Sequence, residues 1–185
     1  MLRVAADERE LTELESCVLG VTWQRGPCTA YVIRREFAIS SSSHWSSSAG
    51  SIYPVLARLE SLGLIAAEET AWGTGTKKQY RITPEGLTVL RAWIGPPLPA
   101  WVGKPTFDPT RTRMDFLGAL TPAKRRRFVA EAERVTREEL ERFKEGAELQ
   151  NPNLYERLAG LGTVYELEGR LRWLREVQRE LDRNE

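Results

Sequence analysis

The chain has 185 residues, 41% hydrophobic and 29% charged, with six tryptophans and a formal net charge of +1 at pH 7. This predicts one full-size or two small globular domains and excludes a low-complexity or disordered chain. With charges so evenly balanced, any nucleic-acid contact has to use a local basic patch.

In chain order, Leu11, Leu14, Val18 and Val21 recur at helical spacing, and Gly26-Pro27 ends that helix. A second helix is predicted from about Thr29, with Ala30, Ile33 and Phe37 facing inward. The serine run from Ser40 to Ser48 reads as a loop. A third helix is expected near Ala49, capped by Ser48, with Ile52, Leu56, Leu59 and Leu62 inward and Gly63 closing it. Two β-compatible runs, LIAAEETAW and KQYRI, flank a tip where Gly73 and Gly75 permit a tight turn, which is a hairpin signal. Thr83-Pro84 then opens a helix carrying Leu87, Leu90, Trp93 and Ile94.

Residues 95–109 hold five prolines and cannot be a continuous helix, so they read as a linker between a domain at 1–94 and a helical one at 110–185. In the latter, Thr121-Pro122 starts a helix with Phe128, Ala132, Val135, Phe143 and Ala147 along one side. A second helix carries Leu154, Leu158, Leu161, Val164, Leu167, Leu171, Leu174, Val177 and Leu181 at spacings of three and four. One neighbouring helix covers part of such a stripe, and a second subunit covers the rest most simply, so a homodimer through the C-terminal helices is expected.

The fold class predicted is mainly α with a small β-hairpin. The order helix, helix, helix, hairpin, helix is that of a winged helix-turn-helix domain, here followed by an α-helical dimerisation domain. On the third helix Gly50, Pro54, Ala57, Arg58 and Ser61 project away from the apolar face; small residues allow close approach, and Arg58 suits phosphate or guanine. Ser48, Ser51 and Tyr53 near its start can donate to phosphates. Lys77 and Lys78 lie on the wing, and residues 71–91 carry a local excess of +3. For Tyr53 and Tyr80, DNA contact and packing are both open readings.

The segment GSIYPVLARLESLGLI (50–65), the hairpin after it and KKQYRITPEGLTVLRAWI (77–94) resemble the PadR family of transcriptional regulators. LTELESCVLGVTWQRGPCTAYVI (11–33) is similar to that family's opening helix, Gly-Pro turn and Tyr-bearing second helix. The resemblance implies a dimeric repressor that binds a palindromic double-stranded DNA operator and is released by a small molecule. In family members that bind planar aromatic compounds the pocket lies near the dimer centre, which nominates Trp93, Trp101, Phe107, Phe116 and Trp173 for an aromatic inducer. The competing reading of these five is core and interface packing.

Other features carry less. Lys124 to Arg127 precede Glu131 and Glu133 in a half with 16 basic and 16 acidic groups, which favours a solvated charged face. With one histidine, His44, and two cysteines, the chain offers no zinc cluster, disulfide framework or catalytic triad, and no cofactor is implied, so an enzyme is not expected. Cys17 is expected to pack as a small hydrophobe, and Cys28 to be the more exposed. No apolar run spans a membrane and Met1 to Glu10 lacks a signal-peptide pattern, which points to the cytoplasm and to no membrane partner. The alternative function is a winged-helix protein-interaction module without sequence-specific DNA binding.

Overall fold

The computed structural model describes residues 10–40, 45, 48–73, 75–149 and 152–184, and divides into two units between Lys104 and Pro105. His44, most of the serine run and Thr74 at the hairpin tip lie outside the described residues.

The first unit contains α1 (Glu13–Arg25), β1 (Cys28–Thr29), α2 (Ala30–Ala38), a 3-10 turn (Ser48–Ser51), α3 (Ile52–Ser61), β2 (Ile65–Trp72), β3 (Gly75–Ile82), α4 (Pro84–Ile94) and a 3-10 turn (Ala100–Gly103). Threonines start three of the four helices. Thr12 forms a capping box, its hydroxyl accepting from the Glu15 amide while its own amide donates to Glu15 Oε2 at 2.8 Å. Thr29 accepts from Val32 N–H and Thr83 from Gly86 N–H, the latter with Pro84 in the first turn. Leu62 caps α3, and Gly63 follows with φ +72°, a left-handed conformation that costs other residues a Cβ clash.

Val18, Leu19, Ile33, Phe37, Ile52, Leu56, Leu59, Ile65 and Leu90 form the shared core of α1 to α4 and the sheet. Each fully buried aliphatic side chain contributes about 1.5–3 kcal/mol relative to exposure. The sheet runs β1-β3-β2, all antiparallel: β2 and β3 pair from Ile65↔Ile82 to Trp72↔Gly75, and β1 joins through Cys28↔Tyr80 and Thr29↔Gln79.

Several expectations are corrected here. Leu11 precedes α1, whose buried positions are Glu15, Ser16, Val18, Leu19 and Thr22. Polar residues enter that face because their groups are satisfied; the Thr22 hydroxyl, for example, donates to the Val18 carbonyl at 2.8 Å. Cys28 is buried, since it sits in β1 against the wing strand. The third helix begins at Ile52, with Ser51 rather than Ser48 at its N-cap position, and Ser48 opens the 3-10 turn. At the hairpin tip Gly73 has positive φ, whereas Gly75 is already in β3.

The second unit contains α5 (Pro109–Met114), a 3-10 turn (Leu117–Ala119), α6 (Pro122–Leu149) and α7 (Leu154–Asn184). Asp108 caps α5 by accepting from the amides of Thr110 and Arg111, and its other oxygen meets Arg170 of α7 at 3.2 Å. Asn153 likewise caps α7, accepting from Tyr155 and Glu156. Long α6 and α7 pack through two apolar clusters: Val129, Ala132 and Leu117 around Leu174, and Leu140 with Leu167 and Leu171. The inward face of α6 is thus Val129, Ala132, Thr136 and Leu140; the expected Ala132 belongs to it and the expected Phe128 packs partly buried against the Leu174 cluster, whereas Val135 does not join it. Val135 is exposed, and Thr136 tolerates burial by donating to the Ala132 carbonyl. Of the α7 stripe, Leu167, Leu171 and Leu174 are covered, while Leu154, Leu158 and Leu161 stay exposed beside Tyr155 and Tyr165. Among the described residues no helix is long and apolar enough to cross a membrane.

Candidate nucleic-acid interface

The outward face of α3 follows from the burial of Ile52, Val55, Leu56 and Leu59 on its other side. Ser51, Tyr53, Pro54, Ala57 and Ser61 are exposed, with Tyr53 at 57%. This face carries no charge, because Arg58 turns back to α1. Its Nε donates to Glu15 Oε1 at 2.8 Å, the two side chains being 17% and 4% exposed. Expected as a groove contact, Arg58 is instead a structural partner of a buried carboxylate; its long stem reaches a group 43 residues away that helical periodicity does not reveal.

The wing lies next to α3 through a second bond. Lys78 Nζ meets Glu60 Oε2 at 2.8 Å, and the same ammonium sits 5.4 Å from the centroid of the Tyr80 ring. The hydrogen bond to the Glu60 carboxylate outweighs desolvation and, with smaller help from the Tyr80 phenol group, raises the Lys78 pKa, so the ammonium stays charged. Tyr80 is 8% exposed and belongs to the core, which corrects its nomination as a DNA contact: alternation along β3 turns it inward. Lys77 is half-buried and Lys78 exposed. Arg81 pairs across the strands with Glu68. Ser48 and Ser51 bracket the 3-10 turn, and Ser51 makes no side-chain cap bond.

The five aromatics nominated for an inducer fall in both units. Trp93, on α4, donates its indole N–H to Glu13 of α1 at 3.1 Å, and Trp101 is exposed in the 3-10 turn. Phe107 and Phe116 are largely exposed at 81% and 70%, whereas Trp173 packs against the Leu174 cluster. A cleft of about 220 Å³ lies within the first unit, lined by Cys17, Val21, Glu36, Phe37, Ser40 and Trp45, with the Phe37 and Trp45 rings edge to face at 5.9 Å. Neither thiol is activated. Burial, with Glu13 adding to it, pushes Cys17 up to about 11, and burial with Glu36 raises Cys28 as well.

Sequence reasoning placed α2 but did not single out its outer face. Its exposed face presents Tyr31, Arg34 and Arg35, spaced i, i+3 and i+4, with the Arg34 guanidinium 5.9 Å from the Tyr31 ring centroid. The signal was present in the spacing, but a two-arginine helix does not stand out in a nearly neutral chain.

Three helices around one core, a hairpin beside the third and an open outer face on that helix define a winged helix-turn-helix domain. Residues 18–92 match the family model described as Transcriptional regulator PadR-like family. Solved structures agree across nearly the whole chain. Bacillus subtilis PadR in complex with operator DNA is 20% identical with a TM-score of 0.78, covering 92% of this chain and 99% of that one. The same protein with p-coumaric acid gives 20% and 0.74, covering 91% and 98%. The Vibrio cholerae virulence activator AphA gives 21% and 0.64, covering 92% and 98%. At these identities the likeness is one of fold. Among curated proteins, none matches the sequence. The family match over residues 18–92 favours a DNA-binding regulator over a protein-interaction module.

Proposed function

We propose that this protein is a cytoplasmic, dimeric repressor that binds a palindromic operator and responds to a small aromatic ligand. The observation that carries the reading is the open, uncharged outer face of α3 beside a wing held to it by Lys78 and Glu60, within a PadR-like domain. Tyr53, Pro54 and Ala57 allow α3 to approach base edges closely, Ser48 and Ser51 donate to phosphates at its start, and Lys77 and Lys78 serve the wing. The bare N-terminal end of the α7 stripe, Leu154, Leu158 and Leu161, supports pairing of two copies. Such a dimer sets two α3 helices about 34 Å apart, in successive major grooves, and blocks initiation by occlusion.

The similar Bacillus subtilis protein was crystallised with operator DNA and with p-coumaric acid, which supports both the DNA target and an aromatic effector here. Exposed Trp101, Phe107 and Phe116, with Trp93 and Trp173, are the stacking groups proposed for that effector. A ligand that prefers another arrangement of the C-terminal helices lowers operator affinity by changing head spacing. No catalytic role is proposed.

Selection of bound fragments from a random duplex pool tests the reading. Recovery of an inverted repeat is expected, and recovery without sequence preference overturns it in favour of the protein-interaction alternative.

A further inference from the structure

In the first unit, the cations on the DNA-facing elements are mostly engaged within the protein. Arg58 is bonded to Glu15, Lys78 to Glu60 and Arg81 to Glu68, and on α1 Arg25 meets Glu36. Arg91 stands in the last turn of α4, where it faces that helix's negative end. The arrangement on α2 is different. Ile33 and Phe37 anchor the helix in the core, and the opposite face leaves Tyr31, Arg34 and Arg35 in solvent. Among the described residues neither Arg34 nor Arg35 has an ion pair; the one ring contact of Arg34 is with Tyr31.

In a helix-turn-helix pair the first helix crosses the DNA backbone while the second enters the groove, and here those helices are α2 and α3. We infer that the Tyr31, Arg34 and Arg35 face of α2 is the phosphate-gripping surface of this protein. The inference rests on the DNA-binding reading above and assigns affinity and sequence selection to different helices. A guanidinium held against an aromatic face keeps its N–H edges outward, a geometry suited to two phosphate oxygens, and the Tyr31 hydroxyl adds a neutral donor. The face of α3, lacking a charge of its own, is left to read base edges and methyl groups.

The test uses the full chain with the inverted repeat recovered by selection and a scrambled duplex, titrated by fluorescence anisotropy across a salt series. Replacing both residues, Arg34→Gln with Arg35→Gln, is expected to reduce the slope of log K against log salt by about 1.8 per subunit, two phosphates at roughly 0.9 each. Preference for the repeat over scrambled DNA is expected to stay as in the wild type, and Arg34→Lys with Arg35→Lys to restore most of the slope. An unchanged slope in a variant whose circular dichroism and melting match the wild type overturns the inference, as does a loss of sequence preference at constant slope. If the wild-type protein itself shows no salt-dependent binding to the duplex, the regulator reading fails and this one falls with it.

Discussion

Glu15 accepts from the Thr12 amide through one carboxylate oxygen and from the Arg58 guanidinium through the other, at 2.8 Å in each case. The residue that starts α1 therefore also fixes α3. With Glu15 only 4% exposed, removing its cation leaves a buried charge with one partner fewer. Arg58→Ala is expected to lower the stability of the first unit by about 3 kcal/mol, read from its urea transition, while operator affinity of the folded protein changes little. A loss of affinity at unchanged stability contradicts the structural assignment of Arg58.

Gly86 lies where α4 passes the end of α3. A Cβ there meets the Leu64 carbonyl oxygen at 2.0 Å, and that same carbonyl accepts from Thr83 N–H at 3.1 Å. Neither backbone can yield without losing a bond that seats the helix. Gly86→Ala is expected to destabilise by about 1–3 kcal/mol despite the gain in helix propensity, which thermal melting checks.

The raised thiol pKa values predict inert cysteines. With Cys17 titrating near 11 and Cys28 above its usual range, little thiolate exists at pH 7.5, and burial blocks access to Cys28. Labelling by a disulfide reagent is expected to be slow in native protein and rapid for both thiols in denaturant. Fast native labelling contradicts the placement.

Burial opposes ionisation of Asp108, but the amides of Thr110 and Arg111 and the Arg170 guanidinium outweigh it and hold the carboxyl below its usual range. Its folded pKa being lower than the unfolded one, ionised Asp108 contributes stability above about pH 4, lost as pH falls through the folded value. Asp108→Asn keeps a capping oxygen. It is expected to be less stable than the wild type at pH 7, with the gap narrowing toward pH 3, in urea titrations at both values.

The exposed α7 leucines supply a test of assembly. Leu158→Glu with Leu161→Glu is expected to yield a monomer by analytical ultracentrifugation with unchanged helix content, because neither side chain belongs to the covered Leu167, Leu171 and Leu174 set. A variant that stays dimeric places the subunit contact elsewhere.

Local chemistry made much of the first unit legible. Thr83-Pro84 and Gly63 mark helix ends by capping, and the alternation along KQYRI marks a strand. The strand β1 was not legible, since two residues form no period and only pairing with Tyr80 and Gln79 defines it. Arg58 was misread for a related reason: a helical wheel places it outward, and only the fold brings Glu15 within reach. On α6 the apolar spacing found Ala132 and Phe128 but included the exposed Val135 and passed over Thr136, which packs inward because it satisfies itself on its own helix. The uncharged face of α3 was visible except for Arg58, whereas Arg34 and Arg35 of α2, without an ion pair among the described residues, stood out only once Arg25, Arg58, Lys78 and Arg81 were seen to be paired.

The two-residue strand β1 gives the wing a root and an arm. At Gln79 and Tyr80 the sheet is three strands wide and tied to the turn between α1 and α2; from Lys78 to Gly75 it is a two-stranded cantilever. Lys78, the first residue past the root, is tethered to Glu60, so bending is confined to the few pairs beyond it. Should the wing contact DNA as proposed, a hinge so placed would let the outer arm follow duplexes of differing groove width without disturbing the register of the helices at its base.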